Sequence, residues 1–283
     1  MSMTDPVSTL RALLAGPDLV RAPGAFDGIS AHLVRRAGFP AVYFTGAGVA
    51  ASGFGLPDIG LVTASEMVER LRVVVEASGL PVIADADTGY GNETHVIRTV
   101  RAYEQAGAAA IQLEDQAFPK RCGHLSDKEL IEADRFVSVL HAARAARRSD
   151  LVVIARTDAR GPEDIDAAIG RARRYAAAGA DLIFVEAPET IDEIERVAAE
   201  VDAPLLFNVV PGGRTPPIAD SELQRLGFRL AIYPAAALFP AATAMAEALT
   251  GLGGSGPAGP SGPRELFELV GLGEWTEFAD RHR

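Results

Sequence analysis

The fold is decided by the stretch Ile83-Ala84-Asp85-Ala86-Asp87-Thr88-Gly89-Tyr90-Gly91, an apolar run that ends in two carboxylates and a glycine turn. One helical segment later the same plan returns in Ala109-Ala110-Ile111-Gln112-Leu113-Glu114-Asp115-Gln116. Continuous apolar runs are typical of buried parallel strands, and ligands bind beyond the carboxyl ends of such strands. The two acidic ends are therefore predicted to lie at one binding face.

A unit of apolar run, polar turn and Ala-rich helix recurs along the whole chain. We predict eight strands, at residues 19–22, 41–45, 81–84, 109–113, 151–155, 182–185, 204–207 and 229–233. Several of the helices between them end in Ala-Gly, where glycine takes the left-handed cap without steric cost. Eight such units favour an α/β fold of the (β/α)8 TIM-barrel type, with a doubly wound open sheet as the alternative.

Length and composition fit one barrel and exclude several classes of partner. The 283 residues are ordinary for a (β/α)8 barrel, which takes about 250 residues. A net charge of −11 gives no bulk support to binding of nucleic acid or an anionic membrane. The single cysteine cannot form an internal disulfide and we find no secretory leader, so we expect a cytoplasmic protein. The longest apolar stretch, residues 235–249, is too short to span a membrane and contains Pro240, so we predict a barrel helix there.

Composition divides the chain into three segments. Residues 1–250 form the predicted catalytic barrel, whose bottom is covered by a short amphipathic helix at residues 8–14. Residues 251–263 contain six Gly and three Pro, a linker composition that cannot hold a packed helix. Residues 264–283 form a C-terminal helical segment, with helices predicted at 264–270 and 274–283. Its apolar side chains need a surface, either the chain's own barrel or a neighbouring subunit, and we favour the neighbour.

Four carboxylates at predicted strand ends form a candidate metal site: Asp58, Asp85, Asp87 and Glu114. They supply oxygen ligands without an accompanying Cys or His pair, which suits a hard cation such as Mg²⁺ that keeps most of its waters, rather than Zn²⁺. Without a cation these carboxylates would repel each other. The alternative is that each acid caps a helix or pairs with a basic side chain.

The loop after the second acidic strand reads Lys120-Arg121-Cys122-Gly123-His124 and holds the chain's only thiol. Neighbouring cations favour the thiolate, so Cys122 is expected to be reactive rather than a buried spectator. His124 is either a catalyst or a loop hydrogen-bonder. Arg156, at the end of an apolar strand, would be costly to bury unpaired, so it implies a bound carboxylate or an acidic neighbour such as Glu186.

A glycine-rich stretch, Thr45-Gly46-Ala47-Gly48-Val49-Ala50-Ala51-Ser52-Gly53, invites comparison with nucleotide-binding loops. It fits no Walker loop, and it lacks both the Lys-Ser/Thr pair and the acid expected of a dinucleotide fold. Backbone amides that cradle a substrate carboxylate explain it better.

With these residues in place, the chain resembles the isocitrate lyase and phosphoenolpyruvate mutase superfamily from about residue 8 to residue 250. The motifs that carry the resemblance are Gly55-Leu56-Pro57-Asp58, Asp85-Ala86-Asp87-Thr88-Gly89-Tyr90-Gly91, Leu113-Glu114-Asp115-Gln116, Lys120-Arg121-Cys122-Gly123-His124 and Ala155-Arg156-Thr157-Asp158-Ala159. The resemblance implies a (β/α)8 barrel that exchanges its C-terminal helices between subunits, usually in a homotetramer.

By position, the resemblance assigns roles to the candidate residues. Asp85 would hold Mg²⁺, or Mn²⁺ in its place, with Asp87, Glu114 and Asp58 acting largely through water. In the carbon–carbon lyases of the family the cysteine loop closes over the substrate, and the cysteine protonates the enolate that retro-aldol cleavage releases. Cys122 would be that acid, with His124 and Arg156 completing the catalytic set. The substrate-binding residues would be Thr45, Gly46, Ala47, Gly123, Arg156, Glu186 and Asn208.

Three positions bear on the choice of substrate within the family. Phe239 aligns where methylisocitrate lyases carry an arginine for the third carboxylate, which speaks against a tricarboxylate. Pro211 stands where many relatives have a glutamate after the seventh strand. Pro234 is lyase-like, because the oxaloacetate hydrolases tend to have a serine there.

We therefore expect a Mg²⁺-dependent lyase that cleaves a 2-hydroxy dicarboxylate, an alkylmalate or methylisocitrate-like acid, to a 2-oxo acid such as pyruvate and a second carboxylic acid. Its partners would be a small anionic di- or tricarboxylate and further copies of itself. Carboxyphosphonoenolpyruvate mutase chemistry is the first alternative, because that enzyme shares the cysteine motif; oxaloacetate hydrolysis or decarboxylation is the second. A non-catalytic barrel that binds a metabolite or a partner is the hypothesis from a different class.

Overall fold

Eight parallel strands, all in chain order, form the centre of the molecule in the residues that the computed structural model describes (5–125, 127–256 and 259–282). Their bounds are Val20–Ala25 (β1), Val42–Phe44 (β2), Val82–Asp85 (β3), Ala110–Glu114 (β4), Val152–Thr157 (β5), Leu182–Val185 (β6), Leu205–Asn208 (β7) and Leu230–Tyr233 (β8). Every predicted strand is present. β1 and β5 run further than predicted, to Ala25 and Thr157.

The pairing of the first and last strands decides between the two predicted architectures. β1 lies parallel to β8, with Val20 opposite Leu230, and each of the other strands pairs with its neighbours in the chain. The described strands therefore close into a barrel without an open edge. The (β/α)8 prediction is confirmed, and the doubly wound alternative is wrong.

Helices connect the strands and cover the outside of the barrel. Their bounds in the described residues are Pro6–Ala15 (α1), Gly28–Arg36 (α2), Gly46–Val49 (α3), Ala64–Ser78 (α4), Glu93–Gln105 (α5), Ala133–Ala146 (α6), Ile165–Ala177 (α7), Ile191–Glu200 (α8), Asp220–Arg225 (α9), Leu238–Gly251 (α10), Pro263–Leu269 (α11) and Leu272–Asp280 (α12). A π-helical turn at Ala50–Phe54 follows α3. None of the helices in the described ranges is long and apolar enough to cross a membrane.

Local sequence explains where several of these helices begin and end. Thr63 and Glu66 form a reciprocal capping box at the start of α4, which satisfies two backbone N–H groups that the first turn leaves free. Gly38, Gly107 and Gly179 follow α2, α5 and α7 with φ of 81°, 95° and 89°. The Ala-Gly pattern thus marks left-handed caps, as predicted.

The bottom of the barrel is closed by α1, the helix predicted at residues 8–14. Leu10 is fully buried among the inward-facing side chains of the strands, and Leu13 and Leu14 pack beside it. Full burial of a leucine contributes about 1.5–3 kcal/mol. The predicted covering helix is confirmed.

The C-terminal helices α11 and α12 differ in what they bury. In α11, Leu266 and Phe267 are buried against the carboxyl-terminal mouth of the chain's own barrel, and not on the neighbouring subunit that the sequence prediction favoured. None of the side chains of α12, all within the described residues, is buried. Trp275 and Phe278 of α12 stay 42% and 58% exposed. The last predicted helical residue, Arg283, lies outside the described residues.

Candidate active site

The carboxyl ends of the strands surround one cavity that collects the predicted site residues. Ten of them line it: Thr45, Ala47, Asp58, Asp85, Cys122, Gly123, His124, Arg156, Glu186 and Asn208. The other three, Gly46, Asp87 and Glu114, contact residues of the cavity lining directly. The structure therefore brings all predicted site residues together at one end of the barrel.

Asp85, at the end of β3, is held by donors from three directions. It accepts hydrogen bonds from the backbone N–H of Gly46 (3.3 Å), from the N–H of Asp87 (3.2 Å) and from the Gln112 side-chain amide (3.3 Å). A Cβ atom at Gly46 would lie 2.9 Å from the Asp85 carboxylate. The glycine-rich stretch therefore meets the acidic strand end at a place where only glycine fits.

Lys120 occupies the centre of the acidic group, a role that the sequence did not predict for it. Its ammonium group forms ion pairs with Asp58 and with Asp87, the latter at 2.9 Å. Burial alone lowers the pKa of Lys120, but these carboxylates outweigh it and hold the pKa well above its ordinary value. Burial also raises the pKa of Asp87 to about 6, against the influence of Lys120.

The acidic group fits a hydrated cation better than one held by direct contacts alone. Among the described residues, no group of three or more His, Cys, Asp or Glu side chains is arranged to hold a metal ion directly. Glu114 Oε1 is buried without a hydrogen-bond partner in the described part of the chain, whereas Asp87 Oδ1 has the Lys120 ammonium as its ion-pair partner. Since an unpartnered buried acceptor is costly, Glu114 Oε1 suits a water of a bound Mg²⁺.

Arg156, at the end of β5, is buried and paired with three acids. It donates to Asp158 from Nε (2.8 Å) and from one terminal nitrogen (2.9 Å). Glu114 lies 3.3 Å away and Glu186 3.8 Å away. The predicted acidic neighbour Glu186 is thus present, but Asp158 is the nearer partner. Asp158 stands in the quoted Ala155–Ala159 motif and had no predicted role.

The chemistry predicted for Cys122 needs a correction. The thiol is half-buried in the cavity, and its backbone N–H donates to the carbonyl of Asp58 at 3.0 Å. Burial, reinforced by the negative charge of Asp58, raises the pKa of Cys122 to about 12. The expectation that neighbouring cations favour the thiolate is wrong in this structure. Lys120 does lower the pKa, but burial and Asp58 outweigh it, and Arg121 lines a separate surface groove. The thiol is therefore protonated at neutral pH.

His124 connects the cysteine loop to the loops after β6 and β7. The N–H of Arg214 donates to His124 Nδ1 at 3.2 Å, so Nδ1 is the acceptor and Nε2 carries the ring proton. Nε2 lies 3.3 Å from Glu186 Oε1 but is not directed at it as a hydrogen bond. Burial lowers the pKa of His124, which favours the neutral ring. Asn208 donates to Glu186 at 3.2 Å and leaves its own oxygen without a partner in the described residues.

One side of the cavity is apolar. We call it the apolar wall, and it consists of Val210, Leu238, Phe239, Leu266 and Phe267. Phe239 and Phe267 are 7% and 1% exposed. The wall joins the start of α10 to α11, so the C-terminal segment completes the cavity of the barrel. Phe239 was predicted from the sequence to lie at the substrate site, but nothing in the sequence predicted that Leu266 and Phe267 of α11 would line it.

Comparisons with known proteins agree with this arrangement. The family described as phosphoenolpyruvate phosphomutase matches residues 10–252. The chain is 48% identical to 2,3-dimethylmalate lyase of Eubacterium barkeri, over 86% of this chain and 84% of that protein. It is 42% identical to 2-methylisocitrate lyase of Bacillus subtilis, over 89% of this chain and 82% of that protein.

Solved structures show the same similarity in three dimensions. A crystal structure of 2,3-dimethylmalate lyase superposes with a TM-score of 0.86 at 40% identity, covering 99% of this chain and 96% of that one. Phosphonopyruvate hydrolase in complex with oxalate and Mg²⁺ superposes with a TM-score of 0.79 at 30% identity, covering 99% of both chains.

Proposed function

Because the chain belongs to the phosphoenolpyruvate mutase and isocitrate lyase superfamily, we propose that it is a Mg²⁺-dependent carbon–carbon lyase that cleaves an alkyl-substituted malate. The products are a 2-oxo acid such as pyruvate and a second carboxylic acid. Relatives of similar length that are named as dimethylmalate and methylisocitrate lyases support this class of reaction.

The apolar wall is the observation that selects the substrate within that class. A methylisocitrate-like acid brings a third carboxylate, and a carboxylate against Phe239 and Phe267 would lose its hydration without gaining a donor. A methyl group at the same place gains by burial, by about 0.8 kcal/mol for each methylene-sized unit. The wall therefore favours a dicarboxylate with small alkyl substituents.

The cleavage follows from the groups on the polar side of the cavity. Arg156 and the backbone of Thr45, Gly46 and Ala47 bind the part of the substrate that becomes the 2-oxo acid. A carboxylate of the cavity lining, Glu186 or Asp58, takes the proton of the C2 hydroxyl. The C2–C3 bond then breaks, C2 becomes a carbonyl carbon, and the electron pair of the broken bond remains on C3 as an enolate. Cys122 gives its thiol proton to C3. Its raised pKa, about 12, keeps the thiol protonated until that step.

A hydrated Mg²⁺ fits the four acids, and Mn²⁺ is the alternative. Asp85 would hold the ion, with Asp87, Glu114 and Asp58 reaching it through waters. When bound, it supplies Lewis-acid stabilisation of negative charge on the substrate oxygens. Gly123, His124, Glu186 and Asn208 line the remaining polar side of the substrate site.

We further propose that residues 1–250 are the catalytic barrel and that 251–263 link it to the C-terminal segment. We also propose that the protein is a homo-oligomer, a tetramer with exchanged C-terminal helices; because α11 packs on its own barrel, the exchange would involve α12, none of whose described side chains is buried. Exposed apolar side chains support this assembly. Met245 and Leu249 on α10 are 60% and 64% exposed, and Trp275 and Phe278 on α12 are also open. A second subunit would cover them.

The test is identification by NMR of the products formed from a panel of malate, mono- and dimethylmalates, methylisocitrate, oxaloacetate and phosphonopyruvate. A lyase releases a 2-oxo acid from the hydroxy acids, a hydrolase forms oxalate or a decarboxylase pyruvate from oxaloacetate, and a mutase forms a phosphate ester from phosphonopyruvate. Native protein is compared with Cys122→Ser, each with Mg²⁺ and after chelation. We expect cleavage of the methylated malates that needs both the metal and the thiol, and that returns when Mg²⁺ is added back.

Other outcomes separate the alternatives. Preference for methylisocitrate would overturn the argument from the apolar wall. Turnover of oxaloacetate alone would identify a hydrolase or decarboxylase, and turnover of phosphonates alone a mutase-type enzyme. No turnover by a folded, Mg²⁺-binding protein would indicate a non-catalytic barrel.

A further inference from the structure

Both lysines of the chain lie in the cysteine loop, and both are buried. We define the Cys122 loop as residues 118–128, of which Ser126 lies outside the described residues. Of the 27 Lys and Arg residues in the sequence, only Lys120 and Lys128 are lysines, and they are 4% and 7% exposed. Lysine presents a compact ammonium with three donors, whereas arginine presents a larger planar fork. All the other basic residues are arginines, so lysine is found only at the two buried positions, where the smaller ammonium group fits.

Lys128 joins the Cys122 loop to the end of β5. Its ammonium donates to the carbonyl of Gly123 at 2.7 Å and to Asp158 Oδ1 at 2.8 Å. Asp158 is fully buried and accepts two further hydrogen bonds from Arg156. One carboxylate therefore binds both the arginine of the substrate site and the lysine that holds the loop.

Gly123 is the point at which the loop is pressed against the barrel. It lies between Cys122 and His124 in the chain, and a Cβ atom on it would come within 2.4 Å of Arg156 and 2.2 Å of Glu186. A shift of Gly123 therefore moves both of its neighbours in the chain. The hydrogen bond to its carbonyl sets where they lie.

The stem of the loop is fixed independently of its tip. Gln116 pairs with Leu130 in an antiparallel bridge, and the N–H of Ala117 donates to the carbonyl of Glu129 at 2.8 Å. Lys128 adjoins this stem, whereas Gly123 is near the tip. Lys128 thus contacts Gly123, near the tip of the loop, from a position that the stem already fixes.

We propose that Lys128 is a positioning residue that fixes Gly123, and with it the neighbouring Cys122, by joining the Gly123 carbonyl to Asp158, and that Asp158 couples this placement to the orientation of Arg156. The proposal rests on the proposed lyase function for what the placed thiol does, while the placement itself can be measured without substrate. Lys128 touches neither the acidic group nor the apolar wall in any contact described above.

The single cysteine provides a direct readout of how firmly the loop is held. Lys128→Met keeps a side chain of similar length and removes the ammonium, so Gly123 should lose its fixed position and the neighbouring thiol should become more accessible. We expect the rate of Cys122 alkylation by iodoacetamide, followed by intact-protein mass, to rise by about 10- to 100-fold, the factor that corresponds to loss of a charge-assisted hydrogen bond. Arg135→Met is the matched control, because it removes one cation from an exposed ion pair with Glu93 and should leave the alkylation rate unchanged.

Turnover of the methylated malate provides a second readout. Asp158 keeps its two hydrogen bonds from Arg156 when Lys128 is replaced, so substrate binding should change less than catalysis. We expect kcat to fall by about tenfold or more and KM to change by less than about threefold. If Lys128 only stabilised the fold, its replacement would lower the melting temperature and the amount of active protein, but it would not lower kcat selectively while leaving KM nearly unchanged.

A second variant leaves every charge in place. A Cβ atom at Gly161 would lie 3.1 Å from Lys128 Cε and 3.4 Å from its Nζ, so Gly161→Ala should displace the ammonium slightly. The expected rise in alkylation is smaller, about threefold to tenfold. This variant carries the test if Lys128→Met does not fold.

The outcomes are distinct for the two proposals. Faster alkylation in both variants, with Arg135→Met unchanged, supports the positioning role even if no malate is cleaved, in which case only the proposed function fails. Native alkylation rates in folded Lys128→Met and Gly161→Ala would overturn the positioning role. An equal rise in Arg135→Met would overturn it too, because general loosening would then explain the effect.

Discussion

The two ends of the barrel both carry buried or half-buried charges, but they differ in how completely these polar groups are hydrogen-bonded. At the bottom, Asp181 accepts from Arg11 (3.0 Å), from Arg147 (2.9 Å) and from the N–H of Val153 (2.8 Å). At the top, the described residues include three buried side-chain atoms without a hydrogen-bond partner: Glu114 Oε1, His124 Nε2 and Asn208 Oδ1. In the described part of the chain, buried side-chain atoms of this kind are found only at the top.

This difference distinguishes polar groups that stabilise the fold from polar groups that are available to bind a ligand. An unpartnered buried polar group costs about 1–3 kcal/mol. Such a cost is kept where a substrate, a metal ion or its waters supply the missing partner. The bottom of the barrel should therefore respond to mutation in stability, and the top in activity.

The largest effect is expected for Asp85→Asn at the top. The amide keeps the size of the side chain but loses the charge that would hold Mg²⁺, so kcat should fall by about a thousandfold, as several kcal/mol of charge stabilisation are lost. The melting temperature should fall only modestly, because the amide cannot accept one of the hydrogen bonds that the Asp85 carboxylate receives, while the repulsion between Asp85 and Asp87 is relieved. Steady-state kinetics and a thermal melt on the same preparation check both statements; a variant that keeps a tenth of native activity would contradict the metal assignment.

A similarly large effect concerns the reactivity of Cys122 in the native protein. With a pKa of about 12 against an ordinary 9.0, the thiolate fraction at pH 8 is about a thousandfold lower than that of an unperturbed thiol. Alkylation should be correspondingly slow and should rise about tenfold for each pH unit from 8 to 10, since the pKa lies above that range. A rate that levels off near pH 8 would show that the thiolate is already formed there and would restore the expectation that neighbouring cations favour it.

A smaller effect is expected when the apolar wall is enlarged. Phe267→Ala removes the side chain that α11 places over the cavity, so larger alkyl groups should be accepted. We expect the ratio of kcat/KM for an ethyl-substituted malate to that for a methyl-substituted one to rise by about tenfold, within the range for one methylene in an apolar pocket. Leu269→Ala on the same helix is the control, because Leu269 is 60% exposed; an unchanged ratio in Phe267→Ala would remove α11 from the substrate site.

The smallest effect on activity belongs to the bottom of the barrel. Asp181→Asn removes the charge that Arg11 and Arg147 share, so the free energy of unfolding should fall by about 2 kcal/mol. Turnover should stay within about twofold of native, because the change lies at the opposite end from the cavity. Chemical denaturation and kinetics provide the comparison with Asp85→Asn, and a large loss of kcat with native stability would break the distinction between the two ends.

The sequence predicted the barrel and the composition of its mouth well, for a physical reason. Parallel strands bring their carboxyl ends to one face, so Asp85, Glu114 and Arg156 had to meet once their runs were recognised as strands. Motif residues such as Cys122 and Gly123 then followed from the resemblance.

The partners of those residues were harder to predict, because they come from other loops. Lys120 and Asp158 stand in the quoted motifs, yet their ion pairs join segments far apart in the chain. The error over Cys122 has the same origin. Arg121 is adjacent in sequence but faces another groove, while Asp58, from an earlier loop, is adjacent in space.

The most direct test of the account is the cleavage of 2,3-dimethylmalate in D₂O, followed by NMR with native protein and Cys122→Ser. We expect pyruvate and the second acid to appear at equal rates with Mg²⁺ and the second acid to carry one deuterium at the former C3. We expect Cys122→Ser to slow formation of the second acid by about a hundredfold or more. Cleavage at the native rate by Cys122→Ser, or a product without deuterium at that carbon, would contradict proton delivery from Cys122 at the top of the barrel.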